Sequence, residues 1–212
     1  MHILAKSAIS WVLLFICAVG NVTSQDVVLE GIALSDWGVW GEMELCPPGS
    51  FVYGMRLKVH QDQGAFEDDT ALNGIELLCI SGAASKQRNN TASLTRQDFG
   101  TVSSSVGHKG DFGLFVECPD PWFVNGFQFR SERPDLIGPL GDDTAGNNIR
   151  LICNDVDFTV LEGYGTGWGD WTAELKCPRG LRICGIQTRV EGPNGDDDTT
   201  LNDLNMGCCT VG

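Results

Sequence analysis

The chain has 212 residues, with 28 acids against 14 lysines and arginines, and a formal charge of -14 at pH 7. That charge excludes a nucleic-acid binder, which needs a basic surface to neutralise phosphates, and it excludes docking on anionic membrane surfaces. A hydrophobic share of 42% excludes a disordered chain, and 27 glycines favour many turns over long helices.

Lys6 precedes an apolar run from Ala8 to Val19, which the small or polar residues Gly20, Asn21, Val22, Thr23 and Ser24 follow. The run is too short to span a bilayer but has the length of a signal-peptide core. The pattern predicts a signal peptide over residues 1–24, cut after Ser24, with a cut after Gly20 as the second choice. The product is a secreted, extracellular protein whose residues 25–212 form a single domain. Its charge is -15, because Lys6 leaves and no acid does.

Export changes the meaning of the cysteines. Cys17 departs with the signal, and the eight that remain read as disulfides in an oxidising compartment. Zinc is a poor fit: there is no Cys-x-x-Cys, and only His60 and His108 remain as imidazoles. No metal or other cofactor is expected.

One unit then recurs three times. Asp68-Asp69-Thr70-Ala71-Leu72-Asn73 returns as Asp142-Asp143-Thr144-Ala145-Gly146-Asn147 and as Asp197-Asp198-Thr199-Thr200-Leu201-Asn202. Ten residues after the second aspartate come Cys79, Cys153 and Cys208. Each copy also carries an earlier Cys-Pro pair at Cys46, Cys118 and Cys177, and a glycine eight residues on, at Gly54, Gly126 and Gly185. Six residues before that cysteine stand Trp40, Phe112 and Trp171; nine before it stand Trp37, Lys109 and Trp168, each followed by glycine. The repeats run over about 31–82, 100–155 and 160–210, and repeats of this kind stack to share one core.

Within a unit the apolar period is two. Met55, Leu57 and Val59 alternate with Arg56, Lys58 and His60, and Ile149, Leu151 and Cys153 alternate with Arg150 and Ile152. Such alternation predicts half-buried strands and an all-β domain, with His60 on a solvent-facing side. Repeat equivalence predicts Cys46–Cys79, Cys118–Cys153 and Cys177–Cys208, one per unit, leaving Cys184–Cys209 as a bridge of the third unit alone. The polar stretch from Ser81 to Thr95 reads as an inter-repeat loop, and the sequon at Asn89 within it predicts glycosylation.

The acidic segments read as turns rather than sites. Asp69, Asn73, Asp143, Asn147, Asp198 and Asn202 are placed to bond nearby backbone groups; adjacent acids lack the alternating spacing of a calcium loop. Trp40 and Trp171 share a repeat position with Phe112, which assigns them to the core. Trp37 and Trp168 share theirs with Lys109, which makes them the candidate carbohydrate-binding aromatics. Neither His60 nor His108 sits in a nucleophile motif, and no catalytic residue is assigned.

The tryptophan clusters Trp37-Gly38-Val39-Trp40-Gly41 and Trp168-Gly169-Asp170-Trp171 resemble those of the vitelline membrane outer layer protein family. So do the three Asp-Asp-Thr segments, the segment from Cys184 to Pro193 and the terminal Cys208-Cys209 pair. The resemblance implies a β-prism of three four-stranded Greek-key units around a pseudo-threefold axis. It implies a structural component of an egg envelope or similar coat, bound non-covalently to matrix or egg-coat proteins, cationic ones among them, and to chitin-like oligosaccharides. A weak transferase activity on chito-oligosaccharides is attributed to the family; the residues here lean against an enzyme.

Overall fold

The computed structural model describes residues 25–32, 35–60, 70–88, 94–95, 98–133, 145–192 and 200–211. The signal segment, Asn89 and the aspartates Asp69, Asp143 and Asp198 lie outside the described residues. Apart from one 3-10 turn at Ser85–Gln87, the described secondary structure is strand.

Strands are numbered along the chain. Short strands β1 (Val27–Leu29), β2 (Val39–Trp40) and β3 (Glu44–Leu45) come first. The long hairpin β4 (Ser50–Val59) and β5 (Leu72–Ser81) follows, then β6 (Phe99–Val102), β7 (Asp111–Phe112) and β8 (Val116–Glu117). The second hairpin is β9 (Val124–Ser131) and β10 (Gly146–Cys153), followed by β11 (Val160–Glu162), β12 (Asp170–Trp171) and β13 (Leu175–Lys176). The third hairpin, β14 (Leu181–Val190) and β15 (Leu201–Thr210), ends the chain.

Three antiparallel sheets result. The first has the order β6-β5-β4-β7, with β8 continuing along the same edge of β4. The second has the order β11-β10-β9-β12, with β13 beside β9. Each is a four-stranded Greek key whose fourth strand is split in two. The third sheet, β1-β15-β14-β2 with β3, takes its outer strands from the N-terminal end of the chain.

The sheets are therefore offset from the sequence repeats. The tryptophan-glycine segment of each repeat pairs with the hairpin of the repeat before it, and the first repeat's segment pairs with the last hairpin. The chain closes on itself: Val27 stands opposite Cys208, and the Asp26 carboxylate accepts hydrogen bonds from the Thr210 amide (2.5 Å) and hydroxyl (2.6 Å). Those bonds hold the Asp26 carboxyl below the usual range.

The bridges are Cys46–Cys79, Cys118–Cys153, Cys177–Cys208 and Cys184–Cys209. The strand offset gives the first three a further role. Cys46 follows β3, and its amide donates to Cys184 on the third sheet, while Cys79 lies on the first sheet. Cys118 is held on the first sheet by a bond to the Tyr53 carbonyl and Cys177 on the second by one to Asn125; their partners lie on the next sheet around. Three disulfides thus fasten three sheets in a ring. The fourth stays within the third hairpin.

The inward faces supply one central core, with Met55, Phe127 and Ile186 at one repeat position and Leu57, Phe129 and Thr188 two residues on, all buried. The repeated glycine has a packing reason. A Cβ on Gly54, Gly126 or Gly185 would lie 2.5 Å from the Val116 carbonyl oxygen, 2.6 Å from that of Leu175, or 2.5 Å from a Leu45 methyl. Only a bare backbone lets the fourth strand approach. His60 is half-buried rather than solvent-facing, with Nδ1 enclosed. Its amide closes the hairpin end on the Ala71 carbonyl.

At one end of the prism the three hairpins begin their return strands with a left-handed residue, Ala71 (φ 44°), Ala145 (φ 39°) and Thr200 (φ 55°). The asparagines two positions later are fully or almost fully buried. The amides of Asn73 and Asn202 bond locally, from Asn73 to the Thr70 hydroxyl (2.7 Å) and Ala71 carbonyl and from Asn202 to the Thr200 carbonyl, which holds the costly backbone at the start of those return strands. The Asn147 oxygen accepts a bond from the Thr166 hydroxyl and that of Asn202 one from Ser35 (2.6 Å). At the third equivalent position stands Gly107, and the Asn73 side-chain oxygen is buried without a partner. A Cβ on Gly107 would lie 1.9 Å from the Thr200 methyl, an atom that Ala71 and Ala145 lack, and 2.7 Å from the Asn73 side-chain oxygen itself. Gly107→Ser alone is expected to destabilise the fold, and by less when Thr200→Ala removes the nearer of its two clashes. A double-mutant cycle by chemical denaturation reads the sign of the coupling.

Candidate carbohydrate-binding face

The outer faces of the three sheets carry the same aromatic position, and none of its occupants is in the core. Trp40 and Phe112 are each 37% exposed, and Trp171 is half-buried. The core assignment of Trp40 and Trp171 is therefore corrected. Their two-residue strands lie at the sheet edge with the ring turned outward across the neighbouring strands.

What covers each ring differs. On the first sheet Arg56 is paired with Glu76 at 2.5 Å and lies over the rings of Phe112 (4.7 Å) and Phe115 (4.5 Å). On the second sheet Arg150 is paired with Glu162 at 2.7 Å and lies over Trp171 at 4.0 Å, with Arg130 at 5.6 Å. On the third sheet the residues equivalent to Arg56 and Glu76 are Gln187 and Asn205. No cation lies over Trp40 among the described residues.

The result is a trough of about 390 Å³ lined by Glu30, Gly31, Trp40, Gln187, Asp203 and Asn205. Its amides form a relay: Gly31 N–H donates to the Asn205 oxygen (3.0 Å), Asn205 donates to the Gln187 oxygen (3.1 Å), and Gln187 donates to the Gly41 carbonyl (2.9 Å). Each amide keeps one N–H and one lone pair for a ligand, because a primary amide offers two of each. Oriented donors and acceptors beside an uncapped indole suit a molecule with hydroxyls on its edges and C–H groups on its face, which is a sugar ring.

Asp203 lines the trough and is 5% exposed. Burial pushes its carboxyl up; the bond from the Leu204 amide (2.8 Å) and the charge of Arg189 oppose that. A carboxyl raised by folding contributes stability in acid that is lost as pH rises through its folded pKa. Asp203→Asn, which installs the residue found at the equivalent Asn148, is expected to raise the melting temperature at pH 7. That gain should vanish at pH 3. Paired thermal melts at the two pH values check it.

The outer aromatics fall elsewhere. Trp37 is exposed and Trp168 half-buried, but Trp40 rather than Trp37 lines the trough. A second hollow of about 400 Å³ lies beside Trp171, with Ile32, Glu132 and Arg133 in its wall. Sequence reasoning missed Trp40 as a surface residue; the loss of both charges at Gln187 and Asn205 was the available signal.

The model of the vitelline membrane outer layer protein I family matches residues 27–211. The chain belongs to this family. A human vitelline membrane outer layer protein 1 homolog is 39% identical over 186 residues, covering 86% of this chain and 82% of its own length. The mouse homolog is also 39% identical, over 82% of this chain and 78% of its own. Among solved structures the agglutinin of Calystegia sepium superposes with a TM-score of 0.54 at 10% identity, covering 89% of this chain and 99% of its own. A mannose-binding jacalin-related lectin of Ananas comosus superposes at 0.51 and 8% identity, over 87% and 97%. Identities this low show the fold alone, a β-prism. The three faces of this chain differ in what stands beside the shared aromatic, an arginine–glutamate pair on the first two and the Gln187 and Asn205 amides on the third.

Proposed function

We propose that the protein is a secreted, disulfide-braced component of an egg envelope or similar extracellular coat, attached non-covalently by binding glycans of coat components in the Trp40 trough. Family membership and the four disulfides support the extracellular role. The observation that carries glycan binding is Trp40 beside the Gln187–Asn205 relay with no cation over its ring, where the other two faces set a guanidinium over their aromatic. The fold alone would be weak support.

On a glycan array the wild-type protein is expected to retain a defined set of sugars. Trp40→Ala is expected to weaken them at least tenfold, about 1.4 kcal/mol, with Phe112→Ala without effect. Equal binding by the Trp40→Ala variant overturns the assignment.

A further inference from the structure

The prism has a second unsymmetrical feature, at the end where β4, β9 and β14 begin. Phe51, Phe123 and Arg182 hold the same repeat position, three residues before Gly54, Gly126 and Gly185. The two phenylalanines meet edge to face with centroids 5.6 Å apart. The Arg182 guanidinium lies 5.7 Å from one ring and 4.5 Å from the other. The three side chains are mutual neighbours on the pseudo-threefold axis, and the third unit has put a cation where symmetry would put a third phenylalanine.

This triplet forms part of the wall of a cavity of about 780 Å³, joined by Trp122, Pro121, Val211 and Lys86. The volume is that of a small-molecule site. In a chain of charge -14 the described lining holds two cations and no acid. The Arg182 guanidinium makes no hydrogen bond or ion pair with any described residue, and it lines the cavity. Two of the hydroxyls in the wall are already engaged, with Ser85 donating to the Gly82 carbonyl and Thr210 to Asp26. Burial depresses the arginine's pKa, the mark of a cation desolvated without a counter-charge. A half-buried guanidinium on aromatic faces, lacking a carboxylate, is incomplete, and a planar carboxylate is what its fork of N–H groups matches.

We propose that this axial cavity binds a small carboxylate with an apolar body, the carboxylate on Arg182 and the body against Phe51, Phe123 and Trp122. The site is separate from the Trp40 trough, and each stands or falls without the other.

Isothermal titration of the full secreted chain at low salt tests the proposal with four probes: octanoate, phenylacetate, N-acetylneuraminate and sodium sulfate. Octanoate and phenylacetate are expected to bind one per chain, and the other two at least tenfold more weakly. Arg182→Phe is expected to fold with an unchanged or raised melting temperature, because it completes a three-phenylalanine plug, and to lose the carboxylates. Arg182→Gln keeps a polar side chain should the larger ring not fit, and is expected to weaken them at least tenfold. Trp40→Ala is expected to bind them as wild type does. Failure of both apolar carboxylates to bind, equal binding of sulfate or N-acetylneuraminate, or full binding by the Arg182 variants overturns it.

Discussion

Replacing Cys118 and Cys153 together with alanine is expected to lower the unfolding free energy by about 4 kcal/mol. The loop they close spans 35 residues, and the chain-entropy picture gives about that value for a loop of this length. Loop length alone would rank the four bridges almost equally, because their separations run only from 25 to 35 residues. The structure separates them. Cys153 is fully buried in the central core, and its bridge ties the first sheet to the second. Cys184–Cys209 instead joins two strands already paired along their length. Removing the inter-sheet bridge should therefore cost more than removing Cys184 and Cys209, since it also leaves a gap where two sheets meet. Denaturant unfolding of the two double variants against wild type checks both magnitude and order.

Phe129→Ala is expected to cost about 3–5 kcal/mol, the range for deleting a fully buried aromatic side chain. Phe129 is 0% exposed and lies so close to Gly146 that a Cβ there would stand 2.7 Å from the ring. Its counterparts are Leu57 and Thr188, both smaller, so the ring supplies much of the volume at that level of the core. Thr188 is committed by its hydroxyl bond to the Ser105 carbonyl (2.7 Å) and cannot swing in to fill the space. Phe129→Leu, which copies Leu57, should recover part of the loss. Chemical denaturation of the two variants checks the order.

Much of this architecture is legible in the sequence. Three sets of fixed offsets carry the repeat, and alternation in runs such as Met55, Leu57 and Val59 carries the strands and their inner face. The cysteine offsets select the same pairs that the structure joins. What the offsets cannot carry is which hairpin each tryptophan-glycine segment joins. The spacing is identical whether Trp171 lies beside its own repeat or the one before it, and only the closure of the chain, with β1 against β15, decides.

The direction of the aromatic position is hidden for a related reason. Trp40, Phe112 and Trp171 are equivalent, and equivalence says that the position is apolar without saying which way it faces. Their strands are two residues long, too short for a period to assign a side. The difference between the faces lies in residues far apart in sequence. Gln187 and Asn205 meet Trp40 only after the ends of the chain close the third sheet. The same closure explains why a threefold repeat can present one face unlike the other two.

The central claim is that the third face, and not the other two, receives a glycan. Side-chain amide and indole resonances in a nitrogen-15 labelled sample, titrated with the best ligand from the array, test it most directly. Shifts are expected at the Trp40 indole N–H and at the Gln187 and Asn205 amides, with Trp171 and Gln128 unmoved. Shifts centred on Trp171 or Gln128, or none at Trp40, would contradict it.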